Sequence, residues 1–101
     1  MTTHRALVLV PLAGSPFEPT AIHASNIRHS VGRAATLVVK DPQVSRNHAE
    51  LEYRPTGWHI TDLASLNGTF VDGVAVETAM LSNGTEIRLG PSCRVAVWAA
   101  D

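Results

Sequence analysis

The sequence predicts an all-β protein, a sandwich or barrel of short, mainly antiparallel strands. Three observations predict it. No window carries a sustained helical period, whereas several runs alternate apolar and polar residues with the two-residue period of a half-buried strand. The runs are short and closely spaced, and turn signals separate them. Three of those signals, Asn67-Gly68, Asp72-Gly73 and Asn83-Gly84, are dipeptides suited to tight turns with positive φ.

Arg5 to Val10 is apolar and rich in β-branched residues, and it reads as the first strand. Pro11 is expected to stop it, because proline cannot donate to a ladder. Residues 11–19 hold Pro11, Gly14, Pro16 and Pro19 and read as a loop. Phe17 to His23 is expected to contain a short edge strand. Asn26 to Gly32 is expected to form another, with Ile27 and Val31 facing inward. Leu37 to Val39 is a short strand closed by the Asp41-Pro42 turn signal. From Ala49 to Arg54 the pattern is clear. Ala49, Leu51 and Tyr53 share one face, and Glu50, Glu52 and Arg54 share the other. Pro55-Thr56-Gly57 turns the chain into Trp58 to Asp62, which alternates again. Thr69 to Val71 and Val74 to Val76 flank Asp72-Gly73 and read as a hairpin. Glu86 to Gly90 and Cys93 to Ala99 make the last pair, with Ile87, Leu89, Val95 and Val97 in the core. The final strand is expected to return beside the first.

A chain of 101 residues fits one domain, here 1–101 with a core of about 5–99. It is 45% hydrophobic and 17% charged, with a net charge of −1. That balance gives no general attraction to nucleic acid or to an acidic membrane surface. Any anion site must therefore come from a local cluster. The longest apolar run, Ala6 to Val10, is too short to span a bilayer. Only His4 and Arg5 directly precede it and no small-residue cleavage site follows at once, so a signal peptide is not expected. Cys93 is the only cysteine, so no internal disulfide forms; a reducing, cytoplasmic setting is expected. Its alternating apolar surroundings mark it as a packed thiol. Arginine outnumbers lysine seven to one, a bias associated with GC-rich bacterial genomes.

Enzyme signatures are poor. Ser45 and His48 stand three residues apart near a strand, awkwardly for proton transfer, and no nucleophile-elbow pattern occurs. His4, His23, His29, His48 and His59 lack metal-ligand spacing. No glycine-rich loop opens a helix. No cofactor or metal is implied.

What remains are three polar turns at strand ends. Arg33, after Gly32, reads either as a solvated surface arginine or as a phosphate clamp, since a guanidinium is always charged and binds phosphate oxygens through paired donors. Ser45-Arg46-Asn47 reads either as a turn closed by Ser45 on nearby backbone or as a hydroxyl and a second cation for the same anion. His48 begins the alternating run and reads as a buried, structural residue. Asn67-Gly68 can fix a loop and also hydrogen-bond a ligand backbone. Trp58, Phe70 and Trp98 read as core or edge packing.

Taken in order, Gly32-Arg33, Ser45-Arg46-Asn47-His48 and the run Asp62 to Gly73 resemble the forkhead-associated (FHA) domain. Leu81 to Gly90 resembles its closing segment. The resemblance extends from about Ala6 to Ala99. It implies a β-sandwich of about eleven strands whose loops at one end bind a phosphothreonine peptide. It further implies that Arg33 and Ser45 contact the phosphate, that Arg46 adds charge or backbone donors, and that Ser65 reaches the phosphate or ties its own loop. Asn67 would bind the peptide main chain, with the Leu66 N–H beside it. Gly32, His48 and Gly68 would shape the loops. The implied partner is a phosphothreonine-containing protein or peptide, a Ser/Thr kinase or its substrate, met by a non-catalytic monomer without nucleic acid or membrane insertion.

Two features depart from the family pattern. Leu66 stands where many members carry threonine or another polar residue, and its side chain cannot donate. The segment Ala34 to Val44 is short and rather apolar, in a region that helps choose residues beyond the phosphothreonine. Leu66 is also the best support for the alternative reading, a phosphorylation-independent scaffold or assembly domain of a secretion, transport or regulatory complex. Asn47 has no determined role.

Overall fold

The computed structural model describes residues 6–12, 14–23 and 28–100. Eleven strands occur among them: β1 (Ala6–Leu12), β2 (Thr20–His23), β3 (His29–Gly32), β4 (Leu37–Val38), β5 (Ala49–Arg54), β6 (Gly57–Asp62), β7 (Thr69–Val71), β8 (Val74–Ala75), β9 (Thr78–Met80), β10 (Thr85–Leu89) and β11 (Cys93–Ala100). They build two sheets, one ordered β2-β1-β11-β10-β7-β8 and the other β4-β3-β5-β6-β9. Every pairing is antiparallel except the short β3–β4 contact. The architecture is the all-β sandwich that the alternating runs and the resemblance predict.

The inner faces supply the core. Leu7 and Leu9 of β1, Val95 and Val97 of β11, and Ile87 and Leu89 of β10 come from one sheet; Val31, Ala49, Leu51, Trp58 and Ile60 come from the other. Full burial of one such large aliphatic side chain stabilises the fold by about 1.5–3 kcal/mol. The two-residue period decides which residues meet there. In β5, Ala49 and Leu51 are buried while Glu50 and Glu52 point outward, where Arg28 and Arg54 pair with them. The last strand does lie beside the first, in register from Ala6↔Ala100 to Leu12↔Arg94.

Several boundaries differ from the sequence reading. β1 continues through Pro11 to Leu12. Its pairing with β2 ends at Leu9↔Thr20, so one side of β1 is open at Pro11, the edge setting in which a strand proline is accommodated. Phe17 is not in a strand; Pro16 and Pro19 confine β2 to Thr20–His23, and Phe17 drops from the loop into the core. Val39 lies just beyond β4, fully buried. Val31 faces inward, whereas Arg5, Asn26 and Ile27 lie outside the described residues. β9 is an edge strand the sequence reading did not include. Thr78-Ala79-Met80 is too short to show an alternating pattern and only Thr78 favours strand, so pairing with His59, Ile60 and Thr61 creates it. Asp72 and Gly73 both adopt positive φ, 48° and 84°, closing the β7–β8 hairpin, while in the other two dipeptides only Gly68 and Gly84 do so.

Register brings one set of loops to one end of the sandwich. β3 finishes beside the start of β5 (Val31↔Ala49), and β5 starts beside the end of β6 (Ala49↔Asp62). In the six-stranded sheet, β7 starts beside the end of β10 (Leu89↔Thr69). The β3–β4, β4–β5 and β6–β7 loops therefore emerge together, with the β10–β11 turn beneath them.

Cys93 opens β11 at this end, fully buried. Burial, with the nearby Asp41 carboxylate, pushes its thiol up to about 11. Because the thiolate is the reactive form, the native protein should resist alkylation by iodoacetamide at about pH 8, and denatured protein should be modified readily. Mass spectrometry of the two reactions checks this; rapid labelling of the native chain would contradict a packed thiol.

Candidate functional site

The three polar turns converge at the loop end, and their backbones fix one another. Gly32, the last residue of β3, passes directly against the next loop. A Cβ built on it would lie 2.3 Å from the Arg46 carbonyl oxygen and 2.6 Å from that of Ser45, closer than any side chain permits. That approach lets the Arg33 N–H donate to Ser45 O (3.1 Å) and the Ala34 N–H to Arg46 O (3.0 Å). The glycine is needed here for close packing, not for an unusual φ.

Arg33 leaves this junction toward solvent. Its Nε donates to the Val44 carbonyl, which aims the guanidinium and leaves the terminal nitrogens outward. Arg46 is exposed on the adjoining loop. Among the described residues no carboxylate lies within ion-pair distance of either side chain, whereas Arg28, Arg54 and Arg94 all pair with glutamates. Two uncompensated cations therefore stand at one rim of a protein whose net charge is −1. Between the loops sits Ser45, half-buried. Its Oγ accepts the Leu66 N–H at 3.0 Å, which leaves the hydroxyl hydrogen available to a ligand. The Leu66 N–H is thus engaged inside the protein, and its side chain is 88% exposed at the loop tip.

His48 holds the two loops together. It is fully buried, and its Nδ1 accepts the Ser45 N–H at 3.0 Å. The ring proton therefore lies on Nε2, which donates to Gly68 O at 2.7 Å. Its main chain completes the junction: the His48 N–H donates to Val31 O and its carbonyl accepts the Leu63 N–H.

The β6–β7 loop is braced from within by Asp62, to which the sequence reading gave no role. Oδ1 accepts the hydroxyls of Ser65 and Thr69, and Oδ2 accepts the Ser65 N–H. Burial disfavours the Asp62 charge, but these hydrogen bonds outweigh it and hold the carboxyl below its usual range. Ser65 Oγ also accepts the Gly68 N–H at 3.0 Å. Its hydroxyl proton is committed to Asp62, so Ser65 ties its own loop in this arrangement instead of facing the rim. Ala64, at φ 55°, takes the left-handed conformation within the same loop. The Asp-x-x-Ser spacing is a signal for such a side-chain-closed turn.

Asn67 faces the β4–β5 loop. Its Nδ2 donates to Gln43 O at 2.8 Å and to Gln43 Oε1 at 3.2 Å, while its Oδ1 accepts nothing among the described residues. Gln43 is thus a second residue absent from the sequence reading, positioned in turn by an Asx-type bond from its N–H to Asp41 Oδ1. Gly68, at φ 88°, turns the chain beneath Asn67, and its carbonyl also accepts the Gly90 N–H from the β10–β11 turn. Asn47 is exposed and makes no bond that defines a role.

The result is a shallow rim of donors. A surface groove of about 540 Å³, lined by Arg54, Thr61, Asp62, Ala64, Glu77 and Thr78, includes none of the rim donors. Among the described residues no cluster of His, Cys, Asp and Glu could hold a metal ion, and no helix is long and apolar enough to cross a membrane.

Comparison with known proteins agrees with this fold. Residues 29–90 match the FHA domain family. FhaB of Mycobacterium tuberculosis (strain ATCC 25618 / H37Rv) is 43% identical over 63 residues, covering 59% of this chain and 41% of that protein. The glycogen accumulation regulator GarA of the same strain is 36% identical over 80 residues, covering 79% and 48% respectively. The matched region thus spans less than half the length of either relative. A solved FHA domain, from a structural and functional analysis of phosphothreonine-dependent FHA domain interactions, superposes with a TM-score of 0.78 at 27% identity, covering 92% of this chain and 95% of that one. With the family match and the two-sheet fold in agreement, the chain belongs to the FHA domain family.

Proposed function

We propose that this chain is a single-domain, monomeric, non-catalytic reader that recruits a phosphothreonine-bearing partner, a Ser/Thr kinase or its substrate, in the cytoplasm. The observation that carries the reading is the pair of cations, Arg33 and Arg46, flanking the Ser45 hydroxyl on mutually braced loops. A phosphothreonine presents about −1.5 to −2 charges and three acceptor oxygens. Arg33 supplies terminal guanidinium donors, Ser45 its hydroxyl hydrogen, and Arg46 electrostatic support. Asn67 offers Oδ1 to a peptide N–H. Leu66 contributes at the loop tip through its exposed side chain, since its N–H serves Ser45. Gly32, His48, Ser65 and Gly68 hold these groups in place.

Charge-assisted hydrogen bonds are worth about 1.5–3 kcal/mol each. Two or three of them, less the cost of ordering a peptide, give an affinity on the order of micromolar, about −8 kcal/mol. Threonine exceeds serine by one methyl, worth about 0.8 kcal/mol when buried.

Calorimetry with matched phosphothreonine, phosphoserine and unmodified peptides tests the reading. Binding should be strongest for phosphothreonine and absent for the unmodified peptide; equal binding to all three would support the phosphorylation-independent assembly reading instead. Replacing Arg33 with alanine should weaken phosphopeptide binding by about 2 kcal/mol, roughly thirtyfold. Parent-like affinity would return Arg33 to the role of a solvated surface residue.

A pH titration gives a further check. The second phosphate ionisation lies near 6, so affinity should fall as pH drops from about 7 to 5.5. The Asp62 brace does not fail in that window. Its carboxyl is held below the usual range, so the stability it contributes is present above the unfolded value of 3.8 and is lost only as pH falls through its lower folded value. Burial lowers the His59 value from 6.5, so the unfolded chain takes up that proton first and thermal stability measured alongside should decline modestly as pH drops; a flat affinity profile would argue against dianion recognition.

A further inference from the structure

We propose that Phe70 and Arg88, on the outer face of the six-stranded sheet, are positioning residues for Asn67 and so set how tightly the peptide main chain is held. This inference rests on the phosphothreonine reading of the loops, in which Asn67 Oδ1 meets a peptide N–H. The two residues stand directly opposite each other on β7 and β10. The Arg88 guanidinium lies over the Phe70 ring, 3.9 Å from its centroid, where the negative face of the ring attracts it.

The charge of Arg88 is committed to this place. Its Nη1 donates to Gly90 O at 2.7 Å, and among the described residues no carboxylate lies within ion-pair distance of it. Its neighbour in register on β11 is Arg94, which Glu86 holds through two N–H bonds of 2.9 and 3.0 Å. One guanidinium thus grips a ring on β7 and a carbonyl in the β10–β11 turn together. Its planar, delocalised fork can stack and donate at once, which a lysine ammonium cannot.

Both grips end at Asn67. The Phe70 ring packs against Gly68, the residue after it: a Cβ built on Gly68 would lie 3.1 Å from Phe70 Cε1 and 3.2 Å from Cζ. Gly90 passes so close to the rim that a Cβ on it would lie 2.9 Å from Gln43 O and 3.5 Å from Asn67 Cβ. Gln43 O accepts the Asn67 amide, and the Gly90 N–H donates to Gly68 O at 2.9 Å. Arg88 and Phe70 therefore fix the floor on which Asn67 stands. Arg33 is fixed from the other side, its Nε by Val44 O and its N–H by Ser45 O. Loosening the floor thus misplaces Asn67 and spares the phosphate clamp.

The test is a double-mutant cycle on the affinity for one phosphothreonine peptide, with thermal unfolding of each variant alongside. Arg88→Lys keeps the charge and Phe70→Leu keeps apolar bulk, yet each should weaken binding about fivefold. Phe70→Tyr keeps the ring face and should bind within about twofold of the parent. Beside Asn67→Ala these losses should shrink to under about twofold, because the group they misplace is gone, whereas beside Arg33→Ala they should persist in full. Should Phe70→Leu not fold, Arg88→Lys, on the sheet surface, carries the cycle alone. Parent-like binding by a folded Arg88→Lys or Phe70→Leu, an equal loss in Phe70→Tyr, or a loss undiminished beside Asn67→Ala overturns this inference alone, since the parent still reads the phosphate. If the parent binds phosphorylated and unmodified peptide alike, the phosphothreonine reading falls and this inference with it.

Discussion

The loop end of this sandwich depends on one buried imidazole. His48 accepts the Ser45 N–H through Nδ1 and donates to Gly68 O through Nε2, so the neutral ring with its proton on Nε2 is the only form that satisfies both. No other single residue here joins the loop carrying Ser45 and Arg46 to the loop carrying Leu66 and Asn67 through both ring nitrogens. An apolar replacement of similar size would leave a buried N–H unpaired and weaken the hold on Gly68 O, at about 1–3 kcal/mol for each unsatisfied group. The cost would fall on the relative position of the two loops, because the Gly68 carbonyl also anchors the β10–β11 turn through the Gly90 N–H.

Around that ring the charges are sorted by position. The carboxylate of Asp62 faces into its own loop and is consumed by Ser65 and Thr69. Glu50, Glu52 and Glu86 lie on outer sheet faces and engage Arg28, Arg54 and Arg94. Arg33 and Arg46 are left at the rim. A protein of net charge −1 can in this way present a local positive field, short in range because salt screens exposed charges beyond about 8–10 Å. Such a field favours a single concentrated anion over an extended polyanion, in keeping with a phosphate group on a peptide and with the lack of a general basic surface.

Much of this was legible in the sequence, and the reasons separate the parts that were not. The alternation in Ala49–Arg54 and Gly57–Asp62 identifies strands because burial on one face leaves a period of two. The return of β11 to β1 follows because both are long, apolar and need central positions. β9 was not legible, since Thr78-Ala79-Met80 is a strand only by virtue of its neighbour β6. Pro11 misled because the rule against strand proline applies to strands paired on both sides, and β1 is open on one side there. At the site, Arg33, Ser45 and Asn67 stand out as polar residues at strand ends. Asp62 does not, because it ends an alternating run and its work is done through bonds to residues three and seven positions on. Gln43 is harder still: its contact with Asn67 spans 24 positions and exists only once both loops are folded.

The shallowness of the rim bears on how such a site can discriminate. A deep pocket gains affinity from apolar area, which an unmodified peptide would share. Here the donors stand on loops already fixed by His48, Asp62 and Gly32, so little ordering of the protein opposes binding. On the proposed reading nearly all the favourable free energy then comes from groups that only the phosphate engages. Loss of two charge-assisted hydrogen bonds, at about 1.5–3 kcal/mol each, lowers affinity by at least roughly a hundredfold. The switch therefore resides in the covalent state of the partner, and the domain needs no second conformation to respond to it.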